Sequence, residues 1–167
     1  LRFIDCCSYD YKDVSELRNI CNYTLAETAY EKEYWNEAIY YYEQILDYKD
    51  SEQKATYCIY LDGLDCFERE NYNQTMYYME RIPDYKDSKE IYNKAAYKYA
   101  EEYLANENFC EAAYYFYLVK DYQDSLDRVN EIIQGRLTIS GVGYGSYYDI
   151  NSRILTGNDI NSDKNLV

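Results

Sequence analysis

The 167-residue sequence contains no histidine, one proline and six glycines. Without histidine, neither a Ser–His nor a Cys–His dyad can form, and the most common metal ligand is missing. Because proline and glycine interrupt helices, their scarcity favours long helices over a turn-rich β fold. The sequence also lacks any apolar run of about 18 residues, so it predicts no helix that inserts directly into a membrane.

Basic residues are scarce as well. The chain has 17 lysines and arginines against 31 aspartates and glutamates, which gives a formal net charge of −14. Nucleic acids and anionic membrane surfaces both require clustered positive charge on the protein. The charge balance therefore argues against both of these partners and favours a basic peptide or protein.

No residue pattern indicates catalysis, a cofactor or a metal. The six cysteines form no C-x-x-C pair, and together with the missing histidine this argues against a zinc site. The carboxylates are spread along the whole chain, so no pair is distinguished as an acid–base couple. We therefore predict a noncatalytic protein without a cofactor.

A five-residue segment recurs along the chain. Asp47-Tyr48-Lys49-Asp50-Ser51 returns unchanged at 84–88, with Gln123 replacing lysine at 121–125, and without the serine at 10–13. Its first tyrosines stand at positions 11, 48, 85 and 122, a constant step of 37 residues. A fixed period of this size is typical of stacked repeats. We predict a repeat array over 10–134, preceded by the end of another helix at 1–9, with units at 10–46, 47–83, 84–120 and a partial unit at 121–134.

Each recurring segment predicts a helix start. The aspartates stand where an N-cap belongs, and an acidic residue or glutamine follows three positions later, as in a capping box. The competing interpretation of paired aspartates is a calcium loop, but the ligand run and central glycine of an EF-hand are missing. The predicted capping residues are Asp13, Asp50, Asp87 and Asp124.

Apolar residues at steps of three and four indicate two helices in each unit, with an aromatic residue opening the second helix. That residue is Trp35, Tyr72 or Phe109. The predicted buried stripes of the second helices are Ala38, Ile39, Tyr42 and Ile45, then Thr75, Met76, Met79 and Ile82, then Ala112, Ala113, Phe116 and Val119. Cys21 and Cys58 occupy equivalent positions of the first helices, and we expect both to be small core residues.

These patterns resemble the tetratricopeptide repeat, in which small residues, an aromatic at the second helix and Ala-x-x-x-aromatic recur. The matching positions are Ala26, Ala29, Trp35, Ala38 and Tyr42; Gly63, Cys66, Tyr72, Thr75 and Met79; and Ala100, Tyr103, Phe109, Ala112 and Phe116. The period differs, the early tryptophan is absent, and aspartate replaces the closing proline. The resemblance implies an all-α, right-handed solenoid of helix hairpins.

The Tyr-Lys-Asp-Ser junction is similar to that of repeat proteins from Clostridia-like Gram-positive bacteria. This resemblance implies a cytoplasmic or envelope-associated protein. Beyond the array, Gly135 is predicted to stop the last helix, and 137–140 to form a short strand. We expect 135–167 to be an irregular or β tail, or the start of another domain.

Two sets of residues are candidates for contact with a partner. The first would line the inner surface formed by the first helices, as in related solenoids: Tyr23, Tyr60, Lys98 and Glu101. The second is a row of equivalent tyrosines on the second helices: Tyr40, Tyr77 and Tyr114. We expect a scaffold that binds a peptide or protein segment; the alternatives are a cell-surface carbohydrate- or peptidoglycan-binding module and a structural spacer.

Overall fold

A computed structural model of the chain describes residues 12–140, 147–148 and 154–155, with side chains described over 14–135. The chain divides into two compact units, Leu1–Lys89 and Glu90–Val167. The described part contains α1 (Lys12–Glu31), α2 (Trp35–Glu43), α3 (Ser51–Glu68), α4 (Tyr72–Arg81), α5 (Ser88–Ala105), α6 (Phe109–Leu118), α7 (Ser125–Ser140), β1 (Tyr147–Tyr148) and β2 (Ile154–Leu155). The two short strands pair antiparallel. The expected all-helical character of the array is confirmed.

Neighbouring helices pack in sequence order within each unit. In the first unit α1 packs on α2, α2 on α3 and α3 on α4; in the second unit α6 packs on α7. Three of the second helices begin at the predicted aromatic residues, Trp35, Tyr72 and Phe109. These helix starts confirm that part of the sequence prediction.

The cores of both units contain the predicted stripes of the second helices together with buried residues of the first helices. Every member of the first two stripes is buried, and in α6 Ala112 and Phe116 are completely buried. Ala113 is half-buried. Burying a large apolar side chain contributes about 1.5–3 kcal/mol, so residues such as Phe116 and Met79 supply much of the stability of α6 and α4. Of the two cysteines at equivalent repeat positions, Cys58 is completely buried and Cys21 is half-buried.

Gly63 allows α3 and α4 to approach closely. A Cβ atom at Gly63 would lie 3.1 Å from the Cβ of Tyr78 and 2.2 Å from the Cε of Met79. The equivalent residues of the neighbouring units are Ala26 and Ala100, which are also completely buried. The thioether side chain of Met79 therefore uses space that a methyl group fills in the other units.

The predictions about the end of the last helix are wrong. The α7 helix continues through Gly135 to Ser140, so Gly135 does not stop it and 137–140 is not a strand. An interior glycine costs a helix only about 1 kcal/mol relative to alanine, which does not suffice to end it when no proline follows.

The first predicted cap lies at the limit of the described residues. Helix α1 is described from Lys12 onward, and the side chain of Asp13 lies outside the described residues. The cap at Asp13 therefore stays a prediction.

A left-handed turn joins the two helices of each hairpin. Glu33, Glu70 and Glu107 have φ angles of 59°, 59° and 60°, and they stand 37 residues apart. The amide of Glu70 donates to the carbonyl of Phe67 at 3.0 Å, and the amide of Asn71 donates to the carbonyl of Cys66 at 2.9 Å. This pair of bonds is the Schellman motif, which usually has glycine at the left-handed position.

Replacing Glu70 with glycine should stabilise the protein. A left-handed conformation costs a residue with a Cβ atom roughly 1 kcal/mol, and glycine avoids most of that cost. We expect the Glu70→Gly variant to gain about 0.5–1 kcal/mol in the free energy of unfolding, measured by urea denaturation. Glu68→Gly, in the last turn of α3, is the control and should lose stability. A loss of stability in Glu70→Gly would contradict the strain argument.

Candidate functional site

A tyrosine–aspartate hydrogen bond ties each of the last three recurring segments to the first helix of the preceding repeat. The hydroxyl of Tyr23 donates to Oδ1 of Asp50 at 2.6 Å, and Tyr60 donates to Oδ1 of Asp87 at 2.7 Å. In the second unit, the hydroxyl of Tyr97 donates to Oδ1 of Asp124 at 2.5 Å. The three tyrosines occupy equivalent positions and each bond spans 27 residues. We call these three arrangements the junctions.

The serine of each junction is structural. Ser51, Ser88 and Ser125 are completely buried. Each hydroxyl donates to the carbonyl of the tyrosine three residues earlier at 2.6 Å. Since a buried hydroxyl without a partner costs free energy, this bond accounts for the serine at the position. The junction serines are therefore unsuited to contact a partner.

In the first two junctions a lysine lies over the tyrosine ring. Lys49 and Lys86 adopt left-handed φ angles of 54° and 48°. The Nζ atom of Lys49 lies 4.0 Å from the ring centroid of Tyr23, and that of Lys86 lies 4.4 Å from the centroid of Tyr60. Both are cation–π contacts. Gln123 keeps the left-handed backbone, with φ 49°, but carries no charge.

The carboxylate of the first junction differs from the predicted capping box. Asp50 stands at the N-cap of α3, yet its side chain makes no capping hydrogen bond to the first turn. Its Oδ1 atom instead accepts the Tyr23 hydroxyl. That hydrogen bond is the main cause that lowers the pKa of Asp50. The hydrogen bond that Tyr60 donates to Asp87 is the main cause that raises the pKa of Tyr60 to about 12.

A polar cluster reinforces the first junction. The Nζ atom of Lys54 lies 2.5 Å from Oε1 of Glu27 and 3.2 Å from the hydroxyl of Tyr23. The same Glu27 oxygen accepts the hydroxyl of Tyr42, which is completely buried. Burial lowers the pKa of Lys54, but the hydrogen bonds to Glu27 and Tyr23 outweigh it and the net shift is upward. Lys54 therefore stays protonated and serves as an internal counter-ion.

The predicted partner residues on the first helices contact other groups of the chain. Tyr23 and Tyr60 belong to the junctions, where their hydroxyls and ring faces contact other groups of the chain. Lys98 forms an ion pair of 2.8 Å with Glu101 on the surface of α5.

On the second helices the three equivalent tyrosines differ in exposure. Tyr40 is 60% exposed and Tyr77 is 54% exposed. Tyr114 is half-buried, with its ring 5.1 Å from that of Tyr115. In the first unit, Tyr40 and Tyr77 are therefore the candidate partner residues whose rings are most accessible.

The exposed tyrosines lie beside charged groups of α2 and α4. The guanidinium of Arg81 on α4 pairs with Oε1 of Glu43 on α2. Its central carbon lies 5.6 Å from the ring centroid of Tyr77. Arg81 thus contacts a carboxylate and an aromatic ring at the same time. We call the surface of Tyr40, Tyr77, Glu37, Glu43 and Arg81 the outer face.

Sequence reasoning missed one buried carboxylate. Asp62 on α3 is 4% exposed, and its Oδ2 atom has no hydrogen-bond partner. Nearby, the buried Tyr78 hydroxyl donates to Oδ1 of Asn36 at 2.5 Å, and burial is the main cause that raises the pKa of Tyr78 to about 12. The equivalent residues are Leu25 and Tyr99, so the repeat pattern contains no signal for an aspartate there.

The described residues offer neither a metal site nor a membrane-spanning helix. Over the described residues, no group of three or more Cys, Asp or Glu side chains is arranged to hold a metal ion. In the same part of the chain, every helix is too short or too polar to cross a membrane. No protein-family model, curated protein or solved structure matches the chain.

The Tyr23–Asp50 bond should make stability depend on pH. A lowered carboxyl pKa in the folded state means that the stabilisation is complete above the unfolded pKa near 4 and is lost as pH falls through the folded value. We expect Tyr23→Phe to lower the free energy of unfolding by about 0.5–1 kcal/mol at pH 7, since the bond is partly solvated. The difference from the unmodified protein should shrink at pH 3.

Urea denaturation at the two pH values measures this difference. Tyr34→Phe is the matched control, because its exposed hydroxyl belongs to no junction, and it should change stability at neither pH. A loss in Tyr23→Phe that is as large at pH 3 as at pH 7 would show that the Asp50 carboxylate is not the group responsible.

Proposed function

We propose that this chain is a noncatalytic scaffold of tetratricopeptide-like helix hairpins, stacked as a right-handed solenoid, that binds a peptide or protein segment. The observation that carries the proposal is the outer face, where Tyr40 and Tyr77 expose most of their rings at equivalent positions of α2 and α4. Tyrosine supplies a large contact area at low conformational cost and keeps a polar hydroxyl.

The packing of the hairpins supports the same proposal. The helix order within each unit and the recurrent junctions hold α2 and α4 at fixed positions. A rigid support reduces the entropy that is lost when a partner binds. Exposed aromatic residues on such a support are typical of protein interfaces, where tyrosine is enriched.

Peptide selection tests the scaffold proposal. A random peptide library displayed on phage is selected against the immobilised protein, and enriched peptides are then measured by calorimetry in solution. We expect one-to-one binding that the double variant Tyr40→Ala/Tyr77→Ala weakens by about tenfold, as expected for two aromatic contacts. Tyr34→Ala is the control, because Tyr34 is 59% exposed and lies outside the outer face. Failure to enrich any peptide would contradict the proposal.

The second candidate is a carbohydrate- or peptidoglycan-binding module. Exposed tyrosine rings also stack on the apolar faces of sugar rings, and Tyr40 and Tyr77 offer two such rings. A glycan array that includes peptidoglycan fragments separates the two functions. Sugar binding that Tyr77→Ala abolishes, with an unchanged melting temperature, would favour this module over the peptide scaffold.

A further inference from the structure

The geometry points to an arginine side chain as the group that the outer face recognises, and we propose that Tyr40 is its anchor. This inference rests on the proposed scaffold function and specifies its partner. The partner is a protein segment that contains arginine, bound through the Tyr40 ring and the carboxylates beside it.

Arg81 shows how the outer face binds a guanidinium. The same side chain pairs with Glu43 of α2 and lies over the ring of Tyr77. A planar guanidinium can stack on an aromatic ring while its five N–H groups remain directed to a carboxylate. The chain thus already contains one occupied tyrosine–carboxylate site for arginine at Tyr77.

At Tyr40, among the described residues, no cation of the chain lies over the ring or pairs with Glu37, whereas Glu43 already pairs with Arg81. The residue equivalent to Arg81 is Gln44, which is uncharged. Glu37 and Glu43 stand three residues before and after Tyr40, on the same face of α2. Among the described residues no lysine or arginine lies over the Tyr40 ring, whose one ring contact is with Tyr41 at 5.2 Å.

Charge complementarity identifies the occupant. Glu37, Glu43 and Glu80 are all exposed on α2 and α4, and the whole chain carries a net charge of −14. An incoming cation is therefore attracted before contact and then meets a carboxylate and an open ring face. Arginine suits both contacts better than lysine, because the ammonium group of lysine is a strongly hydrated point charge.

Binding of two synthetic peptides tests the inference. One probe is a nine-residue peptide of three Gly-Gly-Arg repeats, and the other has lysine at each arginine position. Each peptide is titrated into the full chain by calorimetry at about 50 mM salt. We expect the arginine peptide to bind more tightly than the lysine peptide. Tyr40→Ala should weaken the arginine peptide by about two- to fivefold, the range of one exposed cation–π contact.

Three further variants test which groups of the outer face bind the peptide. Tyr40→Phe keeps the ring and should bind as the unmodified protein does, whereas Glu37→Gln should weaken binding and reduce its dependence on salt. Tyr34→Ala, with a similarly exposed tyrosine removed, should bind normally. Equal binding of the two peptides, or binding that Tyr40→Ala leaves unchanged, would overturn the inference. If selected peptides without arginine bind at Tyr40 and Tyr77, the scaffold proposal survives while the arginine inference fails.

Discussion

A hydrogen bond from a first-helix tyrosine to the aspartate of the next junction connects each first helix to the start of the following one. It joins residues 27 positions apart and recurs at Asp50, Asp87 and Asp124. Each of these aspartates immediately precedes a helix, so the bond favours one position of that helix start relative to the first helix before it. A shift of one residue would rotate the side chains of that helix by about 100° around its axis. The apolar residues of the helix would then no longer face the neighbouring helix.

Tyrosine serves three different purposes in this fold. Tyr42 and Tyr78 are core residues whose hydroxyls find partners in Glu27 and Asn36. Tyr23 belongs to a junction. Tyr40 and Tyr77 are exposed; Tyr77 contacts Arg81 of the chain, and Tyr40 is the proposed anchor for an arginine of a partner. The amphipathic side chain allows each role, since the ring packs and the hydroxyl bonds. With 26 tyrosines in the chain, the residue type alone could not distinguish these roles.

The periodic features could be predicted, and the long-range polar contacts could not. Apolar residues at helical spacing identified the buried stripes, because burial depends on which face of a helix a residue occupies. Asp50 occupies the predicted N-cap position, but its side chain makes no capping bond; local spacing could not reveal that the donor to its carboxylate is Tyr23, which is distant in sequence. Gly135 was misjudged for a related reason: glycine permits a helix to end but does not force the end.

Local spacing and composition suffice to predict the helix hairpins, the places where the second helices begin and the buried stripes of those helices. The three-dimensional packing adds that Tyr23 is engaged in a junction while Tyr40 is open, and that Arg81 joins Glu43 to Tyr77. Those assignments depend on contacts between helices that are up to 38 residues apart. The apolar pattern of a single helix cannot predict such contacts. It specifies which face of that helix is buried, but not which polar side chains of different helices come into contact.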